Sequence, residues 1–212
     1  GVFFAMELIL RDFAAQSFGM VVLSSVTASV IGRAAFGNQP FLHLPAFTVQ
    51  HPIEYALFAA LGLAAGVIGV VFTRVLYLIE DGCDAAWQRV RGPEWARPAV
   101  GGILLGGLLL VLPEMYGVGY PVLGKGVAGG YGIAFLLALL AGKIVATSLT
   151  IGIGGSGGVF APSLFIGAMA GAAYGQTLHQ LAPGLSGQAG AYALIGMGAV
   201  FAGAARAPIT AV

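Results

Sequence analysis

The sequence predicts an all-α, multi-pass membrane fold of tilted and broken helices, on three observations. Of its 212 residues, 58% are hydrophobic and only 8% are charged, against about 25% charged in an ordinary soluble domain. Mean hydropathy is +0.95. Glycine accounts for 35 residues, about twice its usual share of roughly 7%. A water-soluble protein of this size needs a polar skin, whereas a protein solvated by lipid needs polarity only at the interfaces and along a pathway. Small residues let helix backbones approach closely, and glycine permits broken helices whose backbone groups line a cavity.

Residues 1–12 read as the last turns of an apolar helix that reaches an interface at Arg11 and Asp12. Residues 17–36 form an apolar stretch long enough to cross a hydrocarbon layer of about 30 Å. Segment 37–52 carries Asn38, Pro40, Pro45 and Pro52 with no Lys or Arg, which is turn chemistry between two spans. Residues 53–90 make one long helix, apolar from Ala56 to Leu78 and then charged through Glu80, Asp81, Asp84 and Arg89. Such a helix must tilt or project from the bilayer. Arg89, Arg91 and Arg97 surround Gly92 and Pro93, so the positive-inside rule places this turn in the cytoplasm and the 37–52 connection outside.

Beyond Pro98 the expected pieces are shorter: 99–112, a Gly-rich interrupted segment over 117–130, then 132–150, 159–181 and 188–204. Several are too short to span alone. Broken helices expose backbone groups at membrane depth, which is tolerated only inside protein or beside water. Both ends of the chain read as cut within apolar segments, so a fragment of a longer protein is expected. Evidence of internal symmetry is thin in the residues themselves: Arg206–Val212 resembles the opening Gly1–Glu7 only over a few positions.

The stretch richest in chemistry is Gly152-Ile153-Gly154-Gly155-Ser156-Gly157-Gly158-Val159-Phe160-Ala161-Pro162-Ser163. Glycines and a serine lead into an apolar helix whose first turn holds Pro162, a residue favoured there because its missing N–H has no intrahelical partner to lose. The leading N–H groups of a helix carry the positive end of its dipole, and a Gly-rich approach lets an anion come close to them. Partial charges of this kind permit both entry and release, where a bare buried cation would hold an anion too tightly. The bland alternative is a flexible loop with a helix cap.

Here the chain resembles the CLC family of chloride channels and chloride/proton exchangers. Gly158-Val159-Phe160-Ala161-Pro162 after Gly154-Gly155-Ser156-Gly157 resembles the family's anion-site signature. Lys143 through Thr147 resembles the basic-and-Thr segment before it, and Ala193-Leu194-Ile195-Gly196-Met197-Gly198-Ala199 with Arg206-Ala207-Pro208 resembles the helix pair after it. Nearly the whole chain lies along the family without large gaps. The resemblance implies an inverted-repeat architecture of which this is part: residues 1–50 would close the first repeat and 51–212 would form most of the second. It implies that the amides of Val159 and Phe160 contact a central chloride, with Gly158, Ala161 and Pro162 shaping the helix start and Gly154, Gly155, Ser156 and Gly157 forming the approach. It also implies a homodimer with one pore per subunit in the cell membrane, with chloride or a similar small anion as transported ligand and no cofactor. The family's gating glutamate, in a Gly-Arg-Glu-Gly-Pro-like stretch, and its ion-contacting serine are not in this sequence.

Glu7-Leu8 falls where exchangers of the family usually carry two successive glutamates, the second relaying protons, and where channels usually have an apolar residue second. Leu8 therefore favours a channel, with a chloride/proton exchanger or a fluoride-preferring relative as the alternative. Glu7 itself reads as a helix-end carboxylate that meets interfacial water or caps a neighbour.

Other classes fit poorly. A net charge of +1, with no run of Lys or Arg, implies no nucleic-acid partner. Gly152-x-Gly154-x-x-Gly157 satisfies a dinucleotide pattern, but no acidic residue follows Glu114 to hold a ribose. That same absence suits an anion pathway. No Ser/His/Asp, Cys/His or paired-carboxylate cluster suggests an enzyme, and the scattered His43, His51 and His179 with the lone Cys83 give no metal set. A membrane scaffold remains the rival outside transport. Lys143, inside an apolar span, reads as structural, snorkelling or neutralising helix carbonyls; Arg206 reads either as a brace at the cytoplasmic entrance or as an interface anchor. Trp87, Trp95, Tyr116 and Tyr120 suit interface belts.

Overall fold

The computed structural model describes residues 2–10, 15–38, 49, 51–183, 187–206 and 208–211. Arg11, Asp12, His43, Ala207 and most of the proline-bearing 37–52 connection lie outside the described residues.

Among the described residues the regular elements are all helices, and they follow the hydropathy pattern closely. A short turn α1 (Val2–Phe4) continues as a wide π-turn over Ala5–Leu10. Helix α2 spans Ala15–Phe36 and α3 spans Ile53–Val90. At 38 residues, α3 is about 57 Å long, so it runs well past a hydrocarbon core and ends where Arg91 adopts φ 53° and closes the last turn onto the Trp87 carbonyl at 3.0 Å. At its other end Glu54, 2% exposed, accepts the His51 N–H at 3.0 Å and so caps the first turn.

Short pieces then alternate with long ones. Helix α4 covers Arg97–Val111, α5 covers only Tyr120–Val127, and α6 covers Ile133–Gly152. Helix α7 (Phe160–Leu181), α8 (Ala189–Ala205) and a turn α9 (Pro208–Ala211) complete the described chain. The interrupted segment over 117–130 is thus one two-turn helix between glycine turns: Gly117 and Gly119 before it have φ of 63° and 82°, which side chains seldom adopt. Four helical stretches, 18–36, 53–90, 94–111 and 133–152, are long and apolar enough to cross a membrane, and the protein is an integral membrane protein on that count together with the relatives described below.

The core sits between α6, α7 and α8. Phe165, Ala168, Met169 and Ala172 of α7 are fully buried against Leu136 and Leu139 of α6 and Ala193 of α8. Helices α7 and α8 come nearly into backbone contact: a Cβ at Gly171 would sit 2.1 Å from the Tyr192 carbonyl oxygen, and one at Gly167 2.3 Å from that of Gly196. Gly167, Gly171 and Gly175 recur at every fourth residue, the spacing that puts small residues on one helix face. This crossing holds the start of α7 in place relative to α8.

In contrast, Val26, Val30 and Ile31 of α2 are exposed, as lipid-facing or partner-facing side chains are in a membrane protein.

Candidate functional site

The end of α6 explains the first part of the Gly-rich stretch. Gly154 takes φ 80°, its N–H bonds the Ile151 carbonyl, and the Gly155 N–H reaches back to Thr150, each at 2.9 Å. This is the paired closure of a helix ended by a left-handed glycine. A Cβ on Gly155 would lie 2.8 Å from the Thr150 oxygen. Gly154 and Gly155 therefore terminate α6, and the chain leaves it along Ser156, Gly157 and Gly158.

Arg97 fastens this exit. Its guanidinium donates to the Gly152 carbonyl and pairs with Asp84 near the end of α3. A cation at a helix C-terminus neutralises carbonyls that have no intrahelical donor. One arginine thus ties α3, α4 and α6 together directly before the loop.

Helix α7 opens with Val159 at the N-cap, whose carbonyl accepts the Ser163 N–H at 3.0 Å. Pro162, third in the helix, contributes no N–H. Among the described residues, no backbone carbonyl accepts from the N–H groups of Val159, Phe160 or Ala161. Ser163 is buried and spends its hydroxyl on the Phe160 carbonyl at 2.7 Å, so it turns away from the loop.

Phe160 and Ala161, two of these residues, line a cavity of about 510 Å³, and Val159 does not. One wall is Ser156, Gly157, Gly158, Phe160, Ala161 and Pro162; the other lining residues are Leu105 and Leu109 of α4, Met115, Gly117 and Val118 of the turn after it, and Lys143, Ala146, Thr147 and Thr150 of α6. Nothing lies within 4 Å of where a Gly158 Cβ would be. Six of the nine residues singled out in the loop and helix start line the cavity. Gly154 and Gly155 belong to the helix end, and Val159 holds the N-cap with its side chain 39% exposed.

Phe160 also lines a second cavity of about 480 Å³, shared with Phe4, Leu164, Leu194, Met197, Gly198, Phe201, Thr210 and Ala211. Phe4 and Phe201 meet it edge-on, with centroids 5.2 and 5.1 Å away. Phe160 is therefore in the wall of both cavities.

Glu7 and Leu8 lie in the π-turn, and neither lines the 510 Å³ cavity. Glu7 accepts from the N–H groups of Ile209 and Thr210 at 3.1 and 2.7 Å and from the Thr210 hydroxyl at 2.7 Å. Its carboxylate caps α9, as expected of a helix-end acid beside a neighbour. Leu8 is half-buried beside it. Lys143 is where the sequence reading was least specific: buried among carbonyls as anticipated, it also lines the cavity. The regular spacing of Gly167, Gly171 and Gly175 was visible in the sequence and went unread.

Comparison with known proteins decides the family. Residues 1–212 match the family described as voltage gated chloride channel. The chain belongs to the CLC family. It is 34% identical over 200 residues to the H(+)/Cl(-) exchange transporter ClcA of Vibrio campbellii, covering 92% of this chain and 42% of that protein. It is 33% identical over 212 residues to a protein of Ralstonia nicotianae named as a ClcB-like chloride channel, covering 100% of this chain and 48% of the other. Among solved structures it is similar to a slow cyanobacterial Cl−/H+ antiporter, with a TM-score of 0.79 and 25% identity over 99% of this chain and 49% of that one. The chain thus spans about half the length of the CLC proteins it matches.

Proposed function

We propose that this chain forms the second-half anion site of a CLC transporter that exchanges chloride, or a similar small anion, for protons as a homodimer. The observation that carries the reading is the start of α7, where unpaired N–H groups meet a cavity reached through a loop free of bulky side chains. In this reading the amides of Val159 and Phe160 hold the ion; Gly158, Ala161 and Pro162 shape the helix start; and Ser156 and Gly157 line the approach. Aligned peptide dipoles supply attraction without a permanent ion pair, which suits a site that must release its cargo.

Exchange is preferred to passive conduction because two of the three proteins compared above carry exchanger names. A channel is the second reading, favoured by Leu8 at the position where exchangers of the family usually place a proton-relaying glutamate.

The test uses the full-length protein in liposomes loaded with chloride, recording external chloride and pH together when the membrane potential is released. Proton uptake driven against its gradient by chloride supports exchange. Chloride release without proton movement supports the channel and makes Leu8 the reason. Release of fluoride in strong preference to chloride assigns a different cargo. A folded, inserted preparation that passes no halide overturns the transport reading in favour of a scaffold.

A further inference from the structure

Helix α3 has two faces. Ala65, Phe72 and Leu76 are buried, in one cluster with Ile144 of α6 and Val200 of α8. On the opposite side Leu63, Val67, Val70, Arg74, Tyr77 and Asp81 follow one another at steps of three or four residues, the spacing of a single helix face, and all are exposed. In an integral membrane protein lipid is the solvent for the apolar part of such a stripe. Arg74 is the only charged residue between Ala56 and Leu78, and a cation at that place is costly unless it reaches the interface. It lies about 32 Å along the helix axis from Ile53, against a hydrocarbon layer of about 30 Å. With Ile53 at the outer surface and the Arg89–Arg97 turn in the cytoplasm, the tilt of α3 brings Arg74 to the boundary between hydrocarbon and the inner headgroups.

The order of polar groups on the stripe then matters. Tyr77 and Asp81 follow Arg74 toward the cytoplasm, Asp81 about 10 Å further along the axis. Side chains on a helix lean toward its N-terminus, so Tyr77 and Asp81 lean back toward Arg74. From hydrocarbon to water the stripe thus offers a cation, a phenol and a carboxylate. A phosphatidylethanolamine headgroup offers the complement in the same order, a phosphate and then a primary ammonium. A guanidinium suits phosphate, and a carboxylate accepts from a primary ammonium. The quaternary ammonium of phosphatidylcholine has no N–H to donate. Phosphatidylglycerol has no cation at all, and its net negative charge is repelled by Asp81. The next acid on α3, Asp84, is paired with Arg97.

We propose that Arg74, Tyr77 and Asp81 form a headgroup site for phosphatidylethanolamine of the cytoplasmic leaflet, Arg74 and Tyr77 holding the phosphate and Asp81 the ammonium. The inference rests on the membrane orientation of α3 and not on the anion-transport reading.

The experiment titrates delipidated full-length protein in detergent with phosphatidylethanolamine, phosphatidylcholine and phosphatidylglycerol, and reads bound lipid by native mass spectrometry, with melting temperature as the control for folding. Wild type should bind phosphatidylethanolamine about threefold to tenfold more tightly than either of the others. Asp81→Asn should lower its affinity to that of phosphatidylcholine and leave phosphatidylcholine unchanged. Arg74→Ala should weaken both by about threefold to tenfold. Wild-type protein that binds the three lipids alike, or phosphatidylglycerol best, overturns the proposal, as does an Asp81→Asn protein that keeps the wild-type preference. Should these variants not fold, the photoreactive residue p-benzoylphenylalanine replaces Tyr77 and is irradiated in membranes that contain all three lipids. A crosslink chiefly to phosphatidylethanolamine supports the site; a crosslink to another segment of the protein, or to the three lipids alike, refutes it.

Discussion

The Glu7 carboxylate accepts both the backbone N–H and the hydroxyl of Thr210, each at 2.7 Å and across 203 positions of sequence. With the Ile209 N–H it satisfies the donors at the start of α9, and it joins the first described element to the last. Hydrogen bonds to a charged group are stronger than neutral ones. Glu7→Ala should therefore lower the stability of the full-length protein. Thr210→Val, which removes only the hydroxyl, should cost about half as much. Denaturant unfolding in detergent measures both; equal stability of all three proteins would show that the contact is not formed in solution.

Two glycines that look alike in the sequence should respond in opposite ways. Gly171 faces the Tyr192 carbonyl, with 2.1 Å between it and an added Cβ, whereas Gly158 has nothing within 4 Å of that position. Gly171→Ala should force α7 and α8 apart at about 1–3 kcal/mol or more, seen as a lower melting temperature and aggregation on extraction. Gly158→Val should leave the melting temperature close to wild type and weaken chloride binding, because its side chain enters the cavity. Unchanged halide binding by Gly158→Val would favour a scaffold.

How much of this was legible depends on the range of the interaction that decides each feature. Hydropathy and charge are local signals, so the 53–90 helix was readable end to end, and Pro162 with its glycines announced the start of α7 to within one residue. The division of labour inside the loop was not readable. Gly154 and Gly155 end one helix while Ser156 to Gly158 approach the next, a difference that rests on φ and on the bonds to Ile151 and Thr150. Nor did sequence separate the two uses of Lys143, because the Gly117 carbonyl and the cavity belong to segments brought together only by packing. The Gly167, Gly171 and Gly175 repeat is different in kind: its spacing of four was a sufficient signal for a close helix crossing.

Arg97 provides a test of how the loop is held. It bridges the Gly152 carbonyl and Asp84, and these two attachments should be unequal. The Asp84 side chain is 47% exposed, so solvent screening limits that pair to about 0–1 kcal/mol. The bond to Gly152 neutralises the end of α6 where the loop departs. Arg97→Gln should therefore slow anion transport and lower stability clearly, while Asp84→Asn should have a small effect on both. Stopped-flow flux and unfolding measured on the two variants would check this, and a larger effect from Asp84→Asn would reverse the ranking.

Phe160 lines two spaces, and truncating its side chain should join them. It borders the 510 Å³ cavity beside the loop and the 480 Å³ cavity beside Thr210, and its ring is braced edge-on by Phe4 and Phe201. Its backbone N–H belongs to the proposed ion contacts, and a side-chain change leaves that donor in place. Phe160→Ala should therefore keep chloride affinity within about threefold of wild type, a difference of under about 0.7 kcal/mol, and raise the rate of chloride flux through the wider passage. If protons and chloride are exchanged, a barrier that no longer closes around the ion should also lower the number of protons moved per chloride. Liposome flux with paired chloride and pH recording reads both quantities. Phe160→Leu, which keeps an apolar plug of smaller size, should fall between the two proteins; flux in Phe160→Ala at or below that of wild type would mean that the ring is not the barrier and that the passage runs along the Lys143 wall alone.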